Sequence, residues 1–461
     1  MSSVSATALA SLVGDEVRVP CLDGVDRRYL SLDAAASTSA FPGVADRVAE
    51  FLPLYSSVHR GAGWKSQLST AAYEDARAAM LGFAGRQDTD DIAIICRNTT
   101  EAINHLAYRL RLSPADVVVT TVVEHHANLL PWARLARRRY VECDPDGTFD
   151  ADAASSVLAQ QPRARLLAIT GASNVTGWMP PLEAIINEAH AHGVPVLVDA
   201  AQLAPHRPMP AAADFVAWSG HKMYAPFGAG VLIGPRKAFL DGDPFLAGGG
   251  AVDLVDLDEV AWTDPPEREE AGSPNVIGAV ALHAAIDEFR RLGWSAIADH
   301  DEALAGRLRA GLGAIDGIRL LGASATHLPV ATFTVEEVPH ALVAARLSAE
   351  YGIGVRHGCF CAHPYLIRLL GLSDEEVAAY RRDVGRGDRR GMPGAVRASA
   401  GLSATAADID RLVDAVAAIA AGHPGPVGYD QDPHTGDYWP RAAEGRWASA
   451  ARRLGASCAR G

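Results

Sequence analysis

Lys222 lies in SGHKMYAP, directly after an apolar run that ends at Ser219. Upstream, VLVDAAQ places Asp199 at the C-terminal end of another apolar run, where α/β sheets collect their ligand groups. Further upstream, RNTTEAIN puts Thr99 and Thr100 at a strand-to-helix junction, where free backbone N–H groups and hydroxyls suit a phosphate. Taken singly, Thr99 reads as an N-cap, Asp199 as a turn residue and Lys222 as a solvated loop residue. Together, and in this order, they match what pyridoxal phosphate (PLP) requires. It needs an amine for a Schiff base, a carboxylate that keeps the pyridine nitrogen protonated, and an anchor for its phosphate.

A second constellation is RHGCFCAHP, from Arg356 to Pro364. It reads as an extended segment, in which Cys359 and Cys361, two residues apart, face the same side. A disulfide at that spacing is strained. Three readings remain: a nucleophilic thiol, an inert buried pair, and a metal site with His363 that lacks an obvious fourth ligand. The basic neighbours Arg356, His357 and His363 suit the first, and no metal is expected.

The elements that must position these groups are legible as alternation. Short β-branched runs occur at Ile92–Cys96, Val117–Thr121, Leu166–Thr170, Val194–Ala201, Asp214–Ser219 and Gly230–Gly234. They are nearly continuous in apolar character, as strands covered on both faces must be. Helices are expected at Glu101–Arg111, Ala127–Arg138, Asp152–Gln160 and Leu182–His192, which gives a largely parallel, doubly wound α/β sheet. After Gly272 come two long helices, Val276–Leu292 and Trp294–Ala314. A smaller α+β unit follows, with strands near Ile318–Leu321, Pro329–Val335 and Ala395–Ser399 and helices at His340–Tyr351 and Ala406–Ala421. Ala421–Asp432 reads as a linker.

The chain has 461 residues, 49% hydrophobic and 21% charged, enough for two or three domains with large cores. Its net charge of −13 argues against a nucleic-acid or anionic-membrane partner. Only the stretch from Arg441 to Gly461 runs basic, with five Arg against one Glu, which marks a surface feature or a docking patch. Six cysteines, one pair of them close in sequence, make no disulfide scaffold. The N-terminus lacks a basic leader region, and no apolar run reaches the roughly 18 residues of a membrane span. A cytoplasmic location is expected.

The ordered set NTTEAIN, VEHHANLLPW, SNVTG, VDAAQ, SGHKMYAP, EAGSPN and RHGCFCAHP resembles the class V aminotransferase fold family. Within it the likeness is to the group II cysteine desulfurase and selenocysteine lyase branch, over about Tyr29 to Ala420. The resemblance implies an α/β protein of PLP fold type I, with a large PLP-binding domain over 31–290. A small α+β domain would span 291–422 with 1–30 packed on it, and 423–461 would form an extended tail. It implies that Lys222 carries the cofactor, Asp199 pairs with the pyridine nitrogen, His125 stacks on the ring and Gln202 bonds its phenolic oxygen. Asn174 would sit beside cofactor and substrate, and Thr99, Thr100, Ser219 and His221 would surround the phosphate.

Ser273 would reach the phosphate of a neighbouring subunit, so the resemblance also implies a homodimer. Arg397, in AVRASAGLS, would grip the substrate carboxylate through its guanidinium fork. Arg356 and Arg60 are further substrate-binding candidates, Arg60 with His59 at the site mouth. Cys361 occupies the position of the persulfide-forming cysteine, and Lys222 would act as the base at Cα. The implied substrate is L-cysteine or a related sulfur or selenium amino acid, with a sulfur-acceptor protein as partner. Two features depart from the usual pattern. Cys359 adds a second thiol in a GCFC sequence that also looks like molybdenum cofactor sulfurases. The stretch between Cys361 and Arg397 carries a charged insert around Asp374–Arg390, placed to cover the site or receive the acceptor. The same fold also supports aminotransferase, epimerase or C–S lyase chemistry, in which Cys361 is structural.

Overall fold

The computed structural model describes residues 7–87, 89–322 and 328–441; the arginine-rich stretch beyond Arg441 lies outside them. Two helices, α1 (Pro42–Phe51) and α2 (Trp64–Phe83), precede a seven-stranded sheet. Its strands in chain order are β1 (Asp91–Cys96), β2 (Val117–Thr121), β3 (Arg137–Val141), β4 (Ala164–Thr170), β5 (Val196–Asp199), β6 (Phe215–Ser219) and β7 (Gly230–Pro235). Between them run α3 (Thr99–Arg109), α4 (Ala151–Ala159) and α5 (Leu182–Ala191). The spatial order is β1-β7-β6-β5-β4-β2-β3, with β7 antiparallel to both neighbours and the remaining pairs parallel. Every residue of β2, β5 and β6 is buried, as expected of strands covered on both faces.

The expected helix over Ala127–Arg138 is a correction. A single turn at His126–Asn128 and a four-residue helix, Leu130–Ala133, are followed by strand β3. β3 is the sheet edge, so its arginines face solvent and its composition hides its strand character.

After the exposed hairpin β8 (Val252–Val255) and β9 (Val260–Trp262), α6 (Val276–Leu292) packs against α1 and α2, and α7 (Trp294–Gly313) leads to a second core. That core is built on a four-stranded antiparallel sheet of β10 (Ile318–Leu321), β11 (Val330–Val335), β12 (Arg356–Gly358) and β13 (Ala395–Ser399), in the order β10-β11-β13-β12. α8 (His340–Tyr351) and α11 (Ala406–Ala420) cover it, and Phe333, Leu347, Leu412 and Ile419 fill it together with Leu30 and Leu32 from the N-terminal segment. Leu9 and Ala10 both donate their N–H groups to the Leu402 carbonyl, and Leu30–Ser31 pairs with Ile353–Gly354. By contrast α9 (His363–Leu370) buries Tyr365, Leu366 and Leu369 against the large core.

The charged insert forms α10 (Asp374–Gly385), opened by a Ser373–Glu376 capping box and with no buried residue. Of the segment read as a linker, 421–428 has neither helix nor strand, and in place of an extended tail the chain then forms a docked hairpin of β14 (Tyr429–Gln431) and β15 (Tyr438–Pro440). Tyr429 donates its hydroxyl to Glu350 at 2.9 Å, and the Arg389 N–H donates to Pro433 at 2.8 Å. Apolar signal is sparse in this hairpin because polar bonds hold it. Among the described residues no helix is long and apolar enough to cross a membrane, and the five described cysteines are free.

Gly230 opens β7 between Cys96 and Ser219, the last residues of β1 and β6. A Cβ there would lie 2.6 Å from the Asn98 Cα and 2.8 Å from the Trp218 carbonyl oxygen, both backbone atoms. Gly230→Ala therefore must spread the strands where Asn98 and Ser219 meet. It is expected to destabilise the protein by about 1–3 kcal/mol in chemical denaturation; unchanged stability would show that this junction gives way freely.

Candidate active site

Strand ends at one edge of the sheet deliver the central groups. β5 ends on Asp199, whose Oδ1 accepts the Ala201 N–H at 3.0 Å. β6 ends on Ser219, and the next turn carries His221 and Lys222. β1 leads into α3, where Asn98 caps the helix by accepting the Glu101 N–H. The Thr99 N–H donates to Ser219 Oγ at 2.7 Å, and the two hydroxyls lie 2.6 Å apart. This bond ties β1 to β6 and sets Thr99, Thr100, Ser219 and His221 around one end of a cavity of about 300 Å³.

His125, Asn174, Asp199, Gln202 and Lys222 line the same cavity, as do Arg356, Cys361 and Arg397. Ser273 and Arg60 are not among them. They lie together in a second cavity beside the β8–β9 hairpin, and Arg60 donates to the Val252 carbonyl at 2.6 Å. Within one chain, Arg60 does not reach the substrate position proposed for it from sequence.

Burial governs the charges. It pulls the Lys222 amine down to about 8, although the Asp199 carboxylate favours the ammonium form. The same burial raises Asp199 above the usual carboxylate range, opposed by the Ala201 N–H and by Lys222. His125 is pushed down to about 3 by burial and by Lys222. Its Nδ1 accepts the Ala127 N–H at 3.0 Å, so the neutral ring carries its proton on Nε2. His221 falls to about 4 for the same two reasons. Sequence reading assigned nothing to Glu124, which is fully buried next to His125. Burial raises it to about 8 even though Thr121, Asn128 and Thr170 all donate to its carboxylate. Its position in EHHAN was visible, but nothing in the sequence distinguished it from a surface acid.

The cysteines do not continue the strand. β12 ends at Gly358, and Phe360 and Cys361 have φ of 54° and 55°. The Ala362 N–H donates to the Cys359 carbonyl at 2.9 Å, closing a type I′ turn. Two successive non-glycine residues in this region cost about 1–3 kcal/mol each. Tertiary bonds hold them there. The His126 N–H donates to the Cys361 carbonyl at 2.7 Å, and Asn174 Nδ2 donates to the Phe360 carbonyl at 2.7 Å. The expectation that both thiols share one face of an extended segment is therefore corrected: Cys361 is exposed on the cavity, whereas Cys359 is half-buried against the large core.

The basic neighbours also turn elsewhere. His357 pairs with Asp437 of the C-terminal hairpin at 3.2 Å, and His363 stacks on His126 with ring centres 5.1 Å apart. Arg356 meets Asp33 at 3.0 Å. Among the described residues no cluster of metal-ligating side chains is present. Arg397 is buried, with Nη1 donating to the Asn174 carbonyl at 2.8 Å and Nη2 to Asp33 at 2.9 Å. Its guanidinium lies 5.1 Å from the Phe360 ring centre. The buried Nε has no hydrogen-bond partner among the described residues.

Residues 30–412 match the Aminotransferase class-V family, and the chain belongs to it. A Halobacterium salinarum protein named a probable cysteine desulfurase is 34% identical over 406 residues, covering 85% of this chain and 91% of its own. A cysteine desulfurase of Dickeya dadantii is 36% identical over 395 residues, covering 83% and 90%. Among solved structures, the apo cysteine desulfurase of Thermococcus onnurineus NA1 superimposes with a TM-score of 0.76 at 30% identity. That superposition covers 86% of this chain and 95% of the other.

The Lys222 amine is predicted to titrate near 8 in the cofactor-free chain, charged below that pH and free above it. This is read from the pH dependence of imine formation with a small aldehyde, trapped by reduction. Asp199→Asn removes the charge that favours the ammonium form, so the midpoint should fall further; a midpoint that stays or rises would show that the two groups do not interact.

Proposed function

We propose that the protein is a PLP-dependent cysteine desulfurase, which takes the sulfur of L-cysteine onto Cys361 and leaves L-alanine. The observation that carries this reading is that an exposed thiol, on a turn held by tertiary hydrogen bonds, opens onto the same cavity as Lys222 and Arg397. The names of the relatives point the same way.

The donor set fits the cofactor. Lys222 offers an amine with little charge to lose, Asp199 a buried carboxylate for a pyridine nitrogen, and neutral His125 a flat face for the ring. Gln202 lines the wall where the phenolic oxygen would lie, although its Nδ-equivalent amide nitrogen, Nε2, already donates to the Ala35 carbonyl at 2.6 Å, leaving Oε1. Thr99 and Thr100, in the first turn of α3, form the phosphate end together with Ser219 at the end of β6 and His221 in the turn that follows. When bound, PLP supplies an electron sink that makes the Cα proton of an amino acid labile.

The chain's own residues do the rest. Arg397 Nε is the buried donor still to be satisfied, and it would receive the substrate carboxylate. Lys222, titrating near 8, takes and returns a proton at Cα close to neutral pH. Cys361 attacks the substrate sulfur: the new S–S bond forms as the Cβ–S bond breaks, and that electron pair stays with the three-carbon fragment, which is protonated to alanine. Asn174 holds the Phe360 carbonyl, fixing the turn from which Cys361 acts.

A homodimer belongs to the same reading. Ser273 stands outside its own chain's cavity, and nearby Leu254, Val255 and Val260 expose apolar side chains on the β8–β9 hairpin. A neighbouring subunit would cover these and receive Ser273 at its phosphate end. Light scattering of the holoenzyme is expected to give twice the chain mass; a monomer with full activity would refute the composite site.

The deciding test is product analysis of the PLP-loaded protein with L-cysteine and a reductant. Alanine and sulfide are expected in equal amounts, falling on the order of 10²-fold or more in Cys361→Ala while cofactor absorbance is retained. Pyruvate and ammonia, or activity that survives Cys361→Ala, would move the protein to the lyase or aminotransferase reading.

A further inference from the structure

The two thiols of the Cys359–Ala362 turn are unequal. Cys361 is exposed and faces the cavity, whereas Cys359 is half-buried and packs on the large core. In a strand their α-carbons would stand about 6.6 Å apart, twice a rise of roughly 3.3 Å, at the outer limit of disulfide geometry. The type I′ turn folds this separation inward. Burial raises the Cys359 thiol, the Cys361 backbone opposes that rise and the Cys361 thiol adds to it, so the two residues stand within electrostatic reach of each other. The bonds from His126 and Asn174 hold the pair in this arrangement. Nothing in the proposed desulfuration uses Cys359.

We infer that Cys359 is a resolving thiol that discharges the persulfide on Cys361, an inference that rests on the desulfurase reading above. The Cys359 thiolate attacks Sγ of Cys361 and gives its proton to solvent. A bond forms between the two Sγ atoms as the bond from Cys361 Sγ to the outer sulfur breaks, and that electron pair leaves with the outer sulfur as hydrosulfide. The two cysteines are oxidised to a disulfide, and the outer sulfur is reduced to sulfide, so no external oxidant is needed. A small-molecule thiol or a dithiol protein then reopens the Cys359–Cys361 bond and is itself oxidised to a disulfide. Outward relay of the sulfur from Cys359 fits less well, because Cys359 is the less exposed of the two.

The test uses the PLP-loaded enzyme with one equivalent of L-cysteine per site and no other thiol, quenched by alkylation. Alanine, free sulfide and the mass of the tryptic peptide His357–Arg368 are measured. In the wild type, alanine and sulfide should each approach one per site, and the peptide should lack two hydrogens relative to its dithiol form. In Cys359→Ser, alanine should form as before, sulfide should be withheld, and the peptide should carry one additional sulfur on Cys361. Alanine without sulfide in the wild type, with the additional sulfur retained on Cys361, would overturn this inference and leave the desulfurase reading intact. Absence of alanine would overturn that reading and the resolving role with it.

Discussion

The burial of Arg397 is the constraint around which the site is arranged. A guanidinium removed from water must be paired and hydrogen-bonded, or it costs several kcal/mol. Arg397 has Arg356 directly opposite it in the β12–β13 register, an unfavourable cross-strand pairing of like charges. Asp33, from the N-terminal segment, resolves both problems by contacting Arg397 at 2.9 Å and Arg356 at 3.0 Å. The Asn174 carbonyl takes another donor, from the loop that follows β4 of the large sheet. One cation thus ties the first residues of the fold, the large sheet and the small sheet to a common point. Its Nε, without a partner among the described residues, is where the proposed substrate carboxylate would bind.

That same low-dielectric setting fixes the proton inventory. Burial drives the Lys222 amine and the His125 and His221 rings toward their neutral forms, and drives Asp199 and Glu124 toward theirs. Lys222 and Asp199 each partly restore the other's charge. The result is an amine poised near neutral pH beside a carboxylate whose charge depends on having a cationic partner. A protonated pyridine nitrogen would be such a partner. The chemistry proposed for the site follows from this mutual dependence more than from any single residue.

Much of this was legible in the chain because parallel strands buried on both faces write long apolar runs. Five of the six expected runs lie where the large sheet has β1, β2, β4, β6 and β7, and Val194–Ala201 contains β5. Asp199 and Lys222 were legible for the same reason, since they stand at the ends of such runs. Strand β3 was hidden because an edge strand needs no apolar outer face, and its RRRY sequence reads as a solvated helix. Asp33 and Glu124 were hidden because their meaning lies in partners far along the chain: Arg397 for one, the Thr170 N–H for the other. The docked C-terminal hairpin escaped notice because Glu350, Arg389 and His357 hold it through polar contacts that leave no periodic pattern.

The cysteine turn is the sharpest case of tertiary structure overriding local sequence. Nothing in Gly-Cys-Phe-Cys-Ala asks for a type I′ turn, whose central positions favour glycine or asparagine. Here Phe360 and Cys361 occupy them because each peptide carbonyl has a fixed donor, Asn174 for one and His126 for the other, and because the Phe360 ring lies beneath the Arg397 guanidinium. Phenylalanine, disfavoured by its backbone, is required by its side chain, since a smaller residue would leave the guanidinium without its aromatic neighbour. The strain is therefore not incidental. It is the local cost of presenting a thiol at one defined place in the cavity that Lys222 also lines, a task that a relaxed and mobile loop would perform less accurately. Because His126 and Asn174 lie on connections that leave the large sheet and Arg397 lies in the small one, the position of Cys361 is set by how the two sheets meet, and only secondarily by the residues beside it.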